Sequence, residues 1–295
     1  MKVRDVFQGV KGSKLFDVSE PESDEFEAVR RDPDPLRRGR RATELLTLYQ
    51  QRSTELARLR KAAIEEAHRE REMTYTEIAS ALGITKGRIT QIRGSAPSAE
   101  RGFFGVGPVS VGVPWRWQTT DRERPLIAAE DAKSGDLTGK LLADLGFTVS
   151  TFQVGPETEA LPEGDVVLIC GPISSPIASA YLADDPRLAF VVPDNRWYIE
   201  ESGGVRHGSP SDDDQPTNSD IAYLARHRIG SRTVVHIAGI HTMGSLGAVH
   251  YLTNHLGDLY ANTKDQEFSC VIRCDYDLAN VEVTASSLLA GPFIW

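Results

Sequence analysis

The sequence predicts a two-domain α + α/β chain, with an all-α N-terminal domain followed by a mainly parallel sheet with flanking helices. Three observations carry this expectation. Apolar residues recur at three- and four-residue spacing from about residue 36 to residue 93. From about residue 125 onward, short apolar runs alternate with helical patterns. Charge divides along the chain in the same way: residues 36–93 hold 13 Lys/Arg against 7 Asp/Glu, net +6, whereas 1–35 are net −3 and the remainder net −12, within an overall −9. A basic segment on an acidic remainder is the footprint expected of a module that meets phosphate.

A chain of 295 residues suits two modules plus connecting segments. With 40% hydrophobic and 25% charged residues, it is neither fibrous nor wholly disordered. No stretch approaches a membrane span, and the start, MKVRDVFQGVKGSKLFDVSEPESDEF, lacks the apolar core of a secretory signal. The expected location is therefore cytoplasmic and nucleoid-associated, with no membrane partner. Three cysteines are too few for a disulfide framework. Cys170 ends an apolar run and reads as a buried thiol. Cys270 and Cys274 fall on one face of a strand, but no nearby residues complete a ligand set, so no metal is expected.

In chain order, residues 1–34 mix Pro, Asp, Glu and Ser without periodicity and read as a flexible acidic tail. Residues 35–95 form the helical domain. There Ala42, Leu45, Tyr49, Leu56, Leu59 and Ala63 make a stripe that fits either a coiled-coil dimer or ordinary packing on the following unit. Arg37, Arg38, Arg40 and Arg41 form a basic cluster, either a phosphate contact or a solvated helix face. Residues 96–124 are rich in Gly and Pro and read as a linker; with Phe103, Phe104, Trp115 and Trp117 it is too aromatic for a free tether and is expected to dock.

Within 35–95, TYTEIASALGITKGRITQIRG satisfies the constraints of a helix-turn-helix. Thr74 and Glu77 have capping-box spacing. Ile78, Ala79 and Leu82 form the inner face of the first helix, Gly83 permits a tight turn, Ile84 resumes the core, and Ile89 and Ile92 anchor the second helix. That leaves Thr85, Lys86, Arg88, Thr90, Gln91 and Arg93 as the candidate DNA-binding residues: Arg can pair with guanine, Gln with adenine, and Lys86 with phosphate. These 21 residues resemble the helix-turn-helix of bacterial regulators and of the promoter-reading part of sigma factors. More broadly, RRGRRATELLTLYQQRSTELARLRKAAIEEAHRERE, RGFFGVGPV, VVLICGP and IAGIHTMGSLGAVHYL resemble a group of actinobacterial helix-turn-helix proteins. The resemblance implies the same two-part layout and brings no ligand with it.

Residues 125–295 read as a Rossmann-like α/β sensor domain. LAFVVP and RWYIEE are expected to pair, GVRHGSPSDDDQPTNSD to loop, and FSCVIRCDY and NVEVTAS to add an antiparallel edge. Two strand-to-helix crossings, DVVLICGPISSPIASAYL and VVHIAGIHTMGSLGAVHYL, place Gly171, Ser174, Ser175, Gly239, His241, Thr242, Gly244 and Ser245 where open α/β sheets bind ligands, although glycines also simply make turns. Glu130 and Asp131 are candidates for ribose hydroxyls. No cofactor is fixed; a nucleotide or other phosphate-containing ligand suits such crossings. His241 and His250, with Ser174, Ser175, Asp220 or Glu130, offer acid/base chemistry, but nothing in the sequence brings them together or fixes a nucleophile.

The first expectation is a ligand-responsive transcription regulator on double-stranded DNA. It would act as a homodimer or higher homo-oligomer, because one helix reads few base pairs, and would answer to a small anionic metabolite or nucleotide effector. The alternative is a nucleotide-processing enzyme or stress effector, of NAD- or nucleoside-hydrolysing type, that uses the helices for targeting.

Overall fold

The computed structural model describes residues 21–120 and 122–295, so the first twenty residues of the expected acidic tail lie outside the described residues. The rest of that tail is helical: α1 spans Pro21–Arg31. The chain divides into two compact units, Met1–Thr47 and Leu48–Trp295.

In the first unit, Asp32 gathers the basic cluster. Its carboxylate accepts Arg37 Nε at 2.6 Å and Nη2 at 2.8 Å, its carbonyl accepts Arg38 Nη1 at 3.2 Å, and Arg41 lies 3.6 Å away. Three of the four arginines thus turn onto one aspartate. The neighbouring Asp34 starts the long helix α2 (Pro35–Glu70) by accepting the Leu36 N–H at 2.9 Å.

In the second unit, α2 buries a polar stripe, Gln51, Glu55 and Arg58, while Leu56 and Leu59 are 66% and 45% exposed. Of the two expected uses of the apolar stripe, packing on the following unit does not hold at Leu56 and Leu59. The cause lies opposite, in a 3₁₀ turn over Ala99–Phe104 whose Arg101 is fully buried. Arg101 donates to Glu55 Oε2 (3.2 Å), Gln51 Oε1 (2.8 Å) and the Val106 carbonyl (2.9 Å), while Arg58 bridges Glu55 (2.6 Å) and the Tyr260 hydroxyl (3.1 Å). Each buried charge here has a partner, as burial demands.

The last turns of α2 end on an apolar seam instead. Ile64 packs with Ile78 and Ala79 of α3 (Tyr75–Ala81) and with Ile89 and Ile92 of α4 (Lys86–Ser95), all at most 3% exposed. The Thr74–Glu77 capping box is formed, with Glu77 N–H to Thr74 Oγ1 at 3.3 Å and Thr74 N–H to Glu77 Oε2 at 2.8 Å. Gly83 takes a φ of +65°, which lets the chain reverse and the Ile84 N–H reach the Ala79 carbonyl at 2.9 Å. Leu82 departs from expectation: α3 ends at Ala81, and Leu82, as its C-cap, stands 51% exposed outside the seam.

The stretch expected as a linker is part of the α/β core. Phe103 and Phe104 are 0% and 1% exposed and pack on Phe268 and Phe147. β1 (Val109–Pro114) follows at once, so the sheet begins at Val109 rather than near 125. The glycines that suggested a tether serve a close approach: the Val106 and Gly107 N–H groups each donate at 2.7 Å to Asp165, and a Cβ at Gly105 would collide with that carboxylate.

A hairpin of β2 (Arg116–Gln118) and β3 (Arg124–Leu126) leads into α5 (Ala129–Asp144), then β4 (Val149–Val154), β5 (Asp165–Ile169) and α6 (Pro176–Ala183). β6 (Leu188–Val191), β7 (Tyr198–Glu201) and β8 (Arg206–Gly208) form a separate antiparallel sheet; LAFV and YIEE pair as expected, and part of the expected loop becomes β8. β9 (Ser219–Ile229), β10 (Arg232–Gly239), α7 (Thr242–Thr263), β11 (Phe268–Asp277) and β12 (Glu282–Ile294) complete the chain.

The main sheet has the order β12-β11-β9-β10-β5-β1-β4. β4, β1, β5 and β10 are mutually parallel, and β9, β11 and β12 extend the sheet antiparallel, so the sheet is mainly parallel in direction. Strand alternation divides the core. Val167 and Ile169 face α5 and α7, while Val166, Leu168 and Cys170 face α6. β6 and β7 cover the β9 side of that second face. Because both faces are covered, every residue of β5 is buried.

Candidate functional site

Two surfaces collect the residues expected to function. The first is α4. Thr85, Lys86, Arg88, Thr90, Gln91 and Arg93 are all exposed, opposite Ile89 and Ile92. They are not equivalent. Thr85 is the N-cap, its hydroxyl accepting the Arg88 N–H at 3.2 Å. Arg93 is drawn back, its guanidinium 4.4 Å over the Tyr75 ring and 4.0 Å from Glu65. Lys86, Arg88, Thr90 and Gln91 form the open face, with Arg88 Nη1 donating to Gln91 Oε1 at 2.6 Å. That contact aligns a guanidinium and an amide side by side, the donor and acceptor types that read base edges.

The second is a cleft of about 330 Å³ at the carboxyl ends of β1, β5 and β10. Chain order explains the opening. From β1 the chain crosses through α5 to β4 on one side, then returns to β5 on the other, and open α/β sheets bind ligands where connections diverge in this way. Trp115 and Arg116 follow β1, Cys170 to Ser174 follow β5, and Gly239 to Thr242 follow β10; Asp131 enters from the first turn of α5, and Phe190 and Trp197 from the small sheet.

Of the expected ligand residues, Asp131, Gly171, Ser174, Gly239, His241, Thr242 and Ser245 line this cleft, whereas Glu130, Ser175 and Gly244 do not. Ser175 caps α6, accepting the Ala178 N–H at 3.3 Å. Ser245 Oγ accepts the Gly239 N–H at 2.9 Å, fixing the end of β10 against α7. Gly244 is required by contact, since a Cβ there would meet the Ile221 carbonyl at 2.5 Å.

Electrostatics separates the two crossings. The N-terminus of α7, a natural anion site, is already occupied by an internal carboxylate. Asp220, fully buried at the start of β9, accepts the Gly244 N–H at 2.6 Å and the His241 N–H at 3.2 Å. Burial pushes its pKa up, and the Ser209 hydroxyl, the Ile221 and Gly244 N–H groups and the nearby His241 oppose the shift. Asp131 is 8% exposed; burial pushes it up to about 6, with Arg116 pulling down and Glu130 adding to the rise. Unlike Asp220, it makes no hydrogen bond or ion pair among the described residues.

The acid/base set assembles only in part: Ser174 and His241 share the cleft and Asp220 lies behind His241, but His250 stands elsewhere. His241 pairs with Asp212 at 2.8 Å on the cleft rim, whereas His250 is bonded to Ser286 of β12 at 2.7 Å. The cysteines are free and buried. Burial holds Cys170 at about 11 and Cys274 at about 12 and raises Cys270 further, so none is a ready thiolate. Among the described residues no His/Cys/Asp/Glu group could hold a metal, and no helix is long and apolar enough to cross a membrane.

Trp115, Arg116, Phe190, Trp197 and the capping role of Asp220 escaped sequence reasoning. The first two were masked by the Gly/Pro composition around β1. No local spacing ties Phe190 or Trp197 to β1. No protein-family model matches this chain, and no curated protein does.

Proposed function

We propose that this chain is a sequence-specific DNA-binding transcription regulator, with α3 and α4 as its helix-turn-helix, α4 as the recognition helix, and an effector molecule held in the cleft. One observation carries the proposal: α4 is anchored by Ile89 and Ile92, while Lys86, Arg88, Thr90 and Gln91 stand open on its other side. The resemblance of these residues to bacterial and sigma-factor helix-turn-helix units points the same way.

Effector control needs a mechanical route, and α2 supplies one. Its middle is tied to the sheet through Glu55, Arg58 and Arg101, and its end forms part of the α3–α4 core through Ile64. An effector that favours one sheet arrangement biases α4 through this helix, provided its affinity differs between arrangements. Leu56 and Leu59, exposed on α2, favour self-association into the homodimer that reading two half-sites requires. Such a regulator works in the cytoplasm on the nucleoid.

The experiment is selection from a random duplex pool with the full chain. An enriched sequence is expected; a pool that stays random, with binding that varies only with salt, would overturn the assignment. A second reading, a nucleotide-processing enzyme, is favoured by one observation, the unpartnered Asp131 carboxyl in the cleft. Incubation with ribonucleosides and NAD separates the two: release of free base or nicotinamide would favour the enzyme.

A further inference from the structure

The cleft contains one largely buried carboxyl that opens on the cavity and that no group among the described residues binds. The Asp131 side chain, 8% exposed, lines the cleft and takes no hydrogen bond or ion pair from the described residues. Buried carboxyls in folded proteins are otherwise bonded, as Asp165 and Asp220 are here by backbone N–H groups. Asp131 is therefore built for donors that arrive from outside. The neighbouring guanidinium, Arg116, is exposed at the rim and forms no salt bridge with it.

The rest of the lining narrows the class of donor. Trp115, Phe190 and Trp197 give the cleft an aromatic lining, with Phe190 and Trp197 edge to face at 6.2 Å, against which a planar ring can pack. A simple anion is disfavoured, because the helix end that would hold it is occupied by Asp220 and Asp131 adds a second carboxyl. A ligand with vicinal hydroxyls and an attached aromatic ring meets all of these demands, and a carboxylate on ribose hydroxyls is a recurrent solution in open α/β sheets; here the carboxylate comes from the first turn of α5 rather than from a strand end.

We propose that the cleft binds a ribonucleoside, with its 2′- and 3′-hydroxyls donating to Asp131 and its base lying against Phe190 and Trp197. Arg116 at the rim is placed to accept a 5′-phosphate, so the nucleoside monophosphate binds at least as well. This proposal rests on the effector cleft proposed above and names its occupant. It replaces the general anionic metabolite with a diol-bearing, ring-bearing one.

The test is tryptophan fluorescence and thermal-shift titration of the full chain with the four ribonucleosides, their 2′-deoxy counterparts, D-ribose and inorganic phosphate. At least one ribonucleoside is expected to bind, at least tenfold more tightly than its 2′-deoxy form, with ribose and phosphate far weaker. Asp131→Ala should bring that ratio below about three; Asp131→Asn, closer in shape, serves if the alanine variant fails to fold. No binding by any ribonucleoside at millimolar concentration, equal binding of ribo and deoxy forms, phosphate or ribose binding as tightly as the nucleoside, or discrimination that survives both substitutions would each overturn the proposal. DNA selection by the unliganded chain is scored separately, so loss of the nucleoside leaves the DNA-binding assignment to stand or fall on its own.

Discussion

The two ends of β5 bury charge in opposite ways. At its start, Arg101, Glu55, Arg58 and Asp165 form a region in which the charged groups have partners: guanidinium with carboxylate, or carboxylate with backbone N–H. Beyond its end, Asp131 is nearly as buried and has no partner. The difference separates architecture from a site. A satisfied network fixes α2 against the sheet and loses stability when one member is removed, whereas an unsatisfied carboxyl is a standing cost that a ligand can relieve.

The largest expected effect is at the paired end. Arg101→Ala leaves Glu55 and Gln51 facing an emptied cavity and should cost about 3–5 kcal/mol in denaturant unfolding. The triple replacement Arg101→Met, Glu55→Leu and Arg58→Met, which removes every charge that depends on Glu55, should recover most of that loss; no recovery would mean that the network is not what holds α2 in place. At the unpaired end the sign reverses. Because burial pushes the Asp131 pKa up to about 6 when folded, against the ordinary aspartate value of 3.8, the native state binds more protons between those limits and stability falls as pH rises through that window. Asp131→Asn should therefore raise stability above pH 6 by on the order of 2–3 kcal/mol and flatten the profile between pH 4 and 6. An unchanged pH profile would break the contrast.

The apolar α3–α4 seam is the control, since it buries no charge. Ile89→Val should cost about 0.5–1.5 kcal/mol, independent of pH, in the same unfolding assay. Smallest of all, Arg88→Ala with Gln91→Ala should leave stability within about 0.5 kcal/mol, since both side chains are exposed and away from the core. Its consequence should appear in DNA binding instead.

The same contrast explains what was legible in the sequence. The α3–α4 unit has its cap, turn glycine and apolar anchors within twenty residues, so local spacing places Thr74, Glu77, Gly83, Ile89 and Ile92. The polar stripe of α2 was hidden because nothing local to Gln51 and Glu55 announces Arg101 as their partner, or local to Arg58 its bond to Tyr260. β9 was missed for a related reason. Arg226 and His227 sit in its buried stretch, where Arg226 is 1% exposed and donates to the Gly102 and Lys264 carbonyls at 3.1 and 2.8 Å. β1 was hidden by the glycines that admit Asp165. The cleft was half legible: the β5 and β10 crossings carry local glycine and serine signals, while its aromatic wall comes from distant segments that meet only in the folded chain.

The most direct measurement is the affinity of the full chain for its selected duplex and for a scrambled duplex at one fixed salt concentration, for the unaltered protein and for Arg88→Ala with Gln91→Ala. The unaltered protein is expected to prefer the selected duplex by at least about tenfold, the discrimination that one good bidentate base contact supplies, and the double variant to bind both alike with an unchanged melting temperature. Equal preference in the two proteins would contradict a recognition role for α4.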